Sequence, residues 1–330
     1  MKISLFKNVV VSSFLIANQA VFAQDGGGTK PAGAGTDLDL KLSKAPAPAA
    51  EKAPPLPLHT IEGVGGLVIT PTAYLVNPGA PGTVIGKPSL SATYVNARQK
   101  DVESIGITET FFGRLELGYA ASRFGTGSLR HNVQDATGVD IGRDDVYLHN
   151  VNLRLLLLPE NSFELPFLPA ITAGAHFKFN DGIGDINHEL GGALKTIGYK
   201  RDHGIDYTLT ASKTFASVFG RPLLVSLGLR ASEGSQLGYA GFGNEYHVTF
   251  EGNITYLITD NIGIAYEYRQ KPDTFGRIGD LVRPEQDWQT IGLAYVFNPH
   301  ATVAVGYGRF GNVLDTVERN GVAVQWKYEF

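Results

Sequence analysis

Histidines that lie near hydroxyl or amide side chains are the first candidates for covalent chemistry in this sequence. Hydrolysis by a hydroxyl nucleophile needs a histidine as its base and a third polar group that orients the histidine. His149 precedes Asn150 but has no hydroxyl two residues further on, and His247 shares the polar face of its segment with Thr249. Neither pair completes the arrangement, so the sequence predicts that the protein is not an enzyme.

Possible metal ligands occur together in one polar segment, NDGIGDINHE. Asp181, Asp185, His188 and Glu189 lie in it, but their spacing does not match an EF-hand loop, and acidic loops are usually solvated. The chain has no cysteine, which excludes disulfides and thiolate metal sites. Glycine-rich phosphate loops and basic nucleic-acid stripes are also absent. We therefore predict no metal, no cofactor and no nucleic-acid partner.

Most charged residues instead follow an alternating pattern with a period of two. Between Ile262 and Gln270, isoleucines and tyrosines occupy one face of an extended chain, and Glu267 and Arg269 occupy the other. Similar stretches of roughly ten residues, the length of a tilted membrane strand, recur after Pro88. The twelve stretches are 88–96, 103–110, 114–122, 145–157, 168–179, 204–215, 223–232, 245–257, 262–270, 289–297, 301–310 and 321–330.

The segments between these stretches alternate between short and long. Links such as 111–113 and 259–261 are short, whereas 123–144 and 180–203 are long and polar. The connection at 97–102 is the exception, because it is short where a long one is expected. This asymmetry is typical of membrane β-barrels, and it disfavours a soluble two-sheet sandwich, which alternates without it.

The last ten residues, GVAVQWKYEF, carry a further signal. Val322, Val324, Trp326, Tyr328 and Phe330 share one face, and the last three are aromatic. This ending resembles the terminal strand of Gram-negative outer-membrane β-barrels, an alternating aromatic strand with Phe last. The resemblance implies that Trp326, Tyr328 and Phe330 form a barrel-assembly signal, and that the barrel-assembly machinery is a partner.

Composition and hydropathy agree with a barrel. The chain has 40 Gly, 18 Phe and 14 Tyr but only 1 Met and 2 Trp. Beyond the first twenty residues, no apolar run approaches the roughly 18 residues that a spanning helix needs. We predict an all-β fold over 59–330, a single closed antiparallel transmembrane β-barrel of about twelve strands. It would lie among the lipids of a Gram-negative outer membrane, with its N and C termini on the periplasmic side.

The first 58 residues are predicted to be a leader and a linker. Residues 1–23 combine Lys2, Lys7, a short apolar stretch and the ending Val-Phe-Ala, which is typical of a cleaved signal peptide. Cleavage would change the formal charge from -4 to -6 because only the two lysines are lost. Residues 24–58 are rich in Gly, Pro and Ala and are predicted to be disordered. An inert spacer is favoured over a tether to peptidoglycan or a periplasmic partner.

The segment 59–87 is predicted to lie at the barrel mouth or inside the lumen, because Pro71 cannot donate to a sheet ladder. Within it, the sequence GLVITPTA after Gly65 resembles the N-terminal box of several uncharacterised proteobacterial outer-membrane barrel families. That resemblance extends loosely from Ile61 to Phe330. It implies a location and an architecture, but no activity.

The lumen of the predicted barrel would be lined by the polar faces of its strands. Cations and anions are nearly balanced there, which predicts weak ion selectivity or a lumen partly closed by cross-strand ion pairs. Asn152 belongs to the same face. The predicted charged lining consists of Arg114, Glu116, Arg154, His176, Lys178, Asp206, Arg230, His247, Glu251, Glu267, Arg269, Lys327 and Glu329.

The outward faces predict two aromatic girdles and three misfits. Strict alternation turns Glu109, His149 and Lys213 towards lipid, so they should lie near strand ends or beside bulges. Aromatic residues should collect near the two membrane interfaces. One girdle would contain Tyr119, Tyr147, Phe179, Tyr246, Tyr268 and Tyr307, and the other Phe111, Phe215, Tyr256, Phe297 and Tyr328.

Two functions are compatible with this sequence. The first is a passive channel that lets small solutes cross the outer membrane through a polar lumen. The second is a non-conducting surface or assembly barrel that recruits a partner, with polymer export as one setting. The sequence favours the channel slightly, and conductance separates the two.

Overall fold

The computed structural model describes residues 58–330 and closes twelve antiparallel strands into one barrel. The predicted leader (1–23) and all but the last residue of the predicted linker (24–58) lie outside the described residues. The strands follow chain order around the barrel, and the last strand pairs with the first barrel strand to close it. The predicted all-β fold and strand number are therefore confirmed.

The strands differ little from their predicted ranges. Two short strands precede the barrel, and a short hairpin lies between its last two strands. The strands are β1 (Leu58–His59), β2 (Gly65–Gly66), β3 (Ser89–Ala97), β4 (Lys100–Phe111), β5 (Leu115–Gly125), β6 (Asp145–Leu158), β7 (Ala170–Asp181), β8 (His203–Val218), β9 (Arg221–Gly234), β10 (Phe242–Leu257), β11 (Ile262–Arg269), β12 (Trp288–Val296), β13 (Ala301–Arg309), β14 (Gly311–Val313), β15 (Thr316–Glu318) and β16 (Gly321–Glu329).

Alternation along each strand produces an apolar exterior and a polar interior. In β9, Leu227 and Leu229 are 54% and 51% exposed, whereas Ser226 and Arg230 are buried inside the barrel. The last strand has the predicted phase, because Val322 is exposed and its inward neighbours are buried. A closed ladder leaves no strand edge unpaired, so the backbone of the wall needs no water within a bilayer.

The three outward polar residues are accommodated in different ways. Glu109 lies two residues from the end of β4. Lys213 lies beside the register shift between Phe215 and Val218 in the β8–β9 pair, and its Nζ is 3.0 Å from Glu160. His149 is the fifth residue of β6, and its Nδ1 lies 2.8 Å from the Tyr119 hydroxyl. A polar partner, rather than a bulge, accommodates His149.

The two ends of the barrel differ as the link lengths predict. Connections at one end, called the turn end, are short, and β8 and β9 are joined by a turn of residues 219–220 only. Connections at the other end, called the loop end, fold into a cap that contains α1 (Leu129–Thr137), α2 (Ile183–Glu189) and α3 (Ala193–Thr196). None of the helices among residues 58–330 is long and apolar enough to cross a membrane.

Polar contacts connect the segments of the cap. The Asp315 carboxylate, between β14 and β15, lies 2.5 Å from Lys100 Nζ and accepts hydrogen bonds from Ser128 and Asn132. These contacts join the β14–β15 hairpin to the turn before β4 and to α1. The sequence predicted polar loops here, but it did not predict that they form a packed layer.

The chain segment 58–76, called the plug, lies inside the barrel. The sequence predicts either the barrel mouth or the lumen for the segment 59–87, and the structure shows that its part up to residue 76 lies in the lumen. Ile69, Thr70 and Ala73 are at most 1% exposed. The following residues run along the turn end, where Gly86 donates a backbone hydrogen bond to Thr110. The barrel is therefore filled by its own N-terminal segment.

The apolar exterior makes a depth-dependent prediction. The change Leu227→Arg places a cation near the middle of β9 on the outer face, and we expect it to lower the free energy of unfolding by about 2–4 kcal/mol. The matched change Tyr246→Arg, near the loop end of β10, should lower it by about 1 kcal/mol or less. Urea unfolding in lipid vesicles measures both, and equal losses would contradict a bilayer midplane near the middle of β9.

Candidate functional site

The lumen holds the predicted charged residues, with two differences. His247 is only half-buried near the loop end of β10. Arg114 is exposed, so its prediction as a lumen residue is wrong, because β5 begins one residue later and Arg114 belongs to the turn. The others are at most 5% exposed, namely Glu116, Arg154, His176, Lys178, Asp206, Arg230, Glu251, Glu267, Arg269, Lys327 and Glu329.

A carboxylate from the plug lies among three cations of the barrel wall. Glu62 Oε1 is 2.5 Å from Lys178 Nζ, and Glu62 Oε2 is 2.6 Å from Arg269 Nη1. Arg230 Nη2 lies 3.4 Å from the same Oε2 atom. Glu62 itself is 3% exposed. The plug is therefore bound through one charge to three different strands.

The barrel wall alone does not neutralise these three cations. Asp206 lies 2.6 Å from Lys178 and 3.0 Å from Arg230, and Glu251 lies 3.1 Å from Arg230. Two wall carboxylates thus face three wall cations, and Glu62 supplies the third negative charge. A buried charge without a partner is strongly unfavourable. The wall and the plug therefore depend on each other electrostatically.

A second carboxylate, from the wall, binds the backbone of the plug. Glu267 accepts hydrogen bonds from the amides of Ile69 and Thr70 at 2.8 Å each, and from the amide of Val68 at 3.2 Å. The Thr70 and Thr290 hydroxyls also donate to it, each at 2.8 Å. Charged acceptors of several amides make strong contacts. Glu267 thus holds the tip of the plug.

The shape of the GLVITP motif produces this anion-binding loop. Gly66 pairs with Pro71 in an isolated bridge, and the Leu67 amide donates to the Thr70 carbonyl at 2.9 Å. The resulting tight loop turns three successive amides towards Glu267. Pro71 has no amide hydrogen, so no donor is left unpaired at the end of the loop. The motif therefore has a physical role in closing the lumen.

Arg154 and Glu116 bind the backbone of the plug at three positions. Arg154 donates to the Gly65 carbonyl at 3.0 Å and also to the Thr72 carbonyl. Glu116 lies 2.9 Å from Arg154 and accepts the amides of Gly65 and Val76, at 3.2 and 2.8 Å. Both wall residues are 1% exposed. An ion pair of the wall thus supplies both donors and acceptors to the plug backbone.

Close packing between plug and wall requires a glycine at position 63. Gly63 has φ +80°, and a Cβ atom built there would lie 2.6 Å from the Cβ of Ala120. Asn152 donates to the Glu62 carbonyl at 2.8 Å, and its Oδ1 lies 2.9 Å from His176 Nδ1. The lumen next to Gly63 is therefore filled to van der Waals contact.

The opposite side of the lumen is apolar. Leu58 and Leu67 of the plug pack with Ala304, and Ala265 and Ala294 lie against them. A cavity of about 50 Å³ adjoins this group. The plug thus has a charged side and an apolar side.

Two of the four candidate metal ligands, Asp181 and Asp185, lie close to an arginine. Arg143 lies 3.8 Å from Asp181 and 2.8 Å from Asp185. In the neighbouring loop, hydrogen bonds from Arg130 lower the pKa of Asp140 to about 2. Burial lowers the pKa of Lys271, which lies 2.6 Å from Glu285. These charges connect segments of the cap.

Sequence reasoning missed the residue at the centre of this site. The sequence predicts only that Glu62 lies in the mouth segment, and it indicates no role for this isolated acid beside a Gly- and Val-rich stretch. Gln325 was also missed, and it accepts the His59 amide at 3.2 Å and donates to the His59 carbonyl at 2.5 Å. Asn152 is the one uncharged residue in the predicted lumen lining, although other uncharged polar residues such as Gln325 follow the same alternation.

The role of Glu62 is testable with a cysteine probe, because the chain contains no cysteine. Ala73→Cys places a thiol at a fully buried plug position. Adding Glu62→Gln removes charged contacts worth about 1.5–3 kcal/mol each, so maleimide labelling should accelerate about tenfold or more.

The matched control is Glu245→Gln, at an exposed carboxylate of β10. It should leave the labelling rate of the Ala73→Cys protein unchanged. Equal labelling rates in both backgrounds would show that Glu62 does not hold the plug.

The chain is weakly similar to solved structures of two porins and an outer-membrane channel. The KdgM porin is 13% identical (TM-score 0.44, covering 73% of this chain and 99% of that chain), and the NanC porin is 10% identical (TM-score 0.41, 74% and 98%). The COG4313 outer membrane channel from Pseudomonas putida F1 is 10% identical (TM-score 0.41, 79% and 100%). None of these similarities identifies a solute. No curated protein sequence matches the chain.

The match to a family model covers most of the described residues. Residues 57–326 match the family described as "Protein of unknown function (DUF3034)". The chain is therefore a member of the DUF3034 family, and its described residues form a closed twelve-stranded antiparallel β-barrel.

Proposed function

We propose that this protein is an outer-membrane channel for small polar solutes and that the plug gates it. The observation that supports the proposal is the nature of the plug contacts. Glu62, Glu267, Arg154 and Glu116 hold the plug through hydrogen bonds and ion pairs. Water and small solutes can replace such contacts, so displacement of the plug would leave a hydrated, polar bore.

The wall charges determine the expected selectivity of the open state. The five cations and five carboxylates of the buried lining balance each other over the whole lumen. Near the loop end, however, Lys178, Arg230 and Arg269 face only Asp206 and Glu251 once Glu62 has left. We therefore propose weak overall selectivity, with a slight preference for anions at the loop end.

The proposed orientation has the cap outside the cell and both termini in the periplasm. Short turns on the periplasmic side and long loops outside are the usual arrangement of outer-membrane barrels. In this orientation Trp326 and Tyr328, near the end of β16, and Phe330, which follows it, lie at the periplasmic side, where the barrel-assembly machinery would bind them. A periplasmic partner of the linker 24–58 remains part of this proposal, and no enzymatic activity is proposed.

Conductance in planar lipid bilayers tests the channel. Wild-type protein should be closed most of the time, and deletion of residues 59–76 should produce long-lived open steps. The double variant Glu62→Ala, Glu267→Ala keeps the plug but loses charged contacts worth about 1.5–3 kcal/mol each, so its open probability should rise at least tenfold. Deletion of residues 24–57 is the control and should leave the wild-type trace unchanged.

The second candidate function is a non-conducting barrel that recruits a partner, for example in polymer export. The complete filling of the lumen by the plug favours it. If both plug variants fold, as judged by heat-modifiable gel mobility, but give no conductance steps, the channel proposal is wrong and the non-conducting barrel is supported.

A further inference from the structure

Beneath the cap lies an apolar cavity that the channel function does not use. Its volume is about 100 Å³. Its walls come from α1, from α2, from the residues beyond α2, and from loops before β12 and within the β14–β15 hairpin. The lining includes Leu129, Val133, Ile186, Leu190, Phe275 and Leu314.

A second cavity, of about 40 Å³, adjoins the first. Phe124 and Tyr239 line both cavities, and their rings stack at 5.0 Å with an angle of 27°. The Tyr239 hydroxyl donates to Ser122 at 2.7 Å. The side chains of Phe124 and Tyr239 therefore lie between the two cavities, and a rotation of these two rings would join them.

The second cavity contains polar groups that lack a protein partner. Trp288 and Gln236 line it and are 7% and 3% exposed. Trp288 Nε1 and Gln236 Oε1 have no hydrogen-bond partner among residues 58–330. One is a donor and the other an acceptor, so a hydroxyl group could satisfy both. Buried groups of this kind are usually paired.

The two cavities together have the properties of a binding site for a small amphipathic molecule. An apolar cavity of roughly 150 Å³ stays dry and binds benzene-sized molecules. We propose that the cap binds a small cyclic or aliphatic alcohol, with its apolar body in the first cavity. Its hydroxyl group lies in the second cavity, where it accepts from Trp288 Nε1 and donates to Gln236 Oε1.

Trp288 also provides the probe for this site. The chain contains two tryptophans, and Trp326 lies on the outer face of β16. The variant Trp326→Phe therefore leaves Trp288 as the only indole fluorophore. Cyclohexanol should produce a saturable change in its emission. Methylcyclohexane, which has a similar size but no hydroxyl, should bind at least tenfold more weakly.

Substitutions that fill the first cavity separate this site from general partitioning into detergent. Ala240 lines the cavity, and Ala240→Leu in the Trp326→Phe background should weaken cyclohexanol binding at least tenfold. Ala211→Leu, on the outer face of β8, is the matched control and should have no effect. Val133→Phe fills the same cavity from α1 and serves if the Ala240 variant does not fold.

The outcomes of this experiment are distinct. Loss of the response in the filled variants, with the control unchanged, supports the site. A linear response, or one that is equal in all variants, would mean partitioning into detergent and would overturn the proposal. Equal affinity for cyclohexanol and methylcyclohexane would overturn the role of Trp288 and Gln236. Conductance is not measured, so the result stands apart from the test of the channel.

Discussion

The structure depends on one constraint, namely that irregular backbone inside a membrane barrel must find partners for its amides and carbonyls. The barrel strands meet this requirement through their ladders, but the plug has only four residues in short strands, Leu58, His59, Gly65 and Gly66. Unpartnered amides in a low-dielectric interior are unfavourable by several kcal/mol each. The polar inner wall supplies the missing partners, and this explains why its charges point at backbone atoms as well as at each other.

The two carboxylates at the centre of the site have opposite origins. Glu267 belongs to the wall and accepts from plug amides, whereas Glu62 belongs to the plug and accepts from wall cations. Each side therefore contributes a carboxylate that binds mainly groups of the other side. A plug held by apolar packing alone would shift along the barrel axis more easily, because apolar contacts have no preferred direction. The charged contacts fix both its depth and its rotation.

The wall could be predicted from the sequence, and the plug contacts could not. Alternation is a local signal, so Leu227 and Arg230 reveal their faces through their immediate neighbours. The contact between Glu267 and Thr70 joins residues 197 positions apart, and no periodicity records such a pair. The mouth segment could be recognised as non-ladder chain because of Pro71. Its position in the lumen depends on the shape of the loop between Gly66 and Pro71, and the sequence alone does not reveal that shape.

The cap was missed for a related reason. Its α1 helix is nine residues long, and its N-cap residue Ser128 makes no side-chain capping hydrogen bond to the helix. Ser128 instead donates to Asp315, which is 187 positions away. Short helices in polar loops are stabilised by tertiary packing rather than by propensity. The spacing of the apolar residues Leu129 and Val133 is the only sequence signal for α1, and it is weak because the residues around them are polar.

The charge distribution also limits what an open state can be. In the proposed gating, the Glu267 carboxylate would lose three backbone donors, and Lys178, Arg230 and Arg269 would lose their third carboxylate. Isolated charges are tolerated inside a membrane barrel only if water or mobile ions reach them. An open lumen must therefore be hydrated at both positions. In the proposed channel, the groups that hold the plug would be the same groups that a permeating ion meets, so the proposal implies that solute occupancy and release of the plug are coupled.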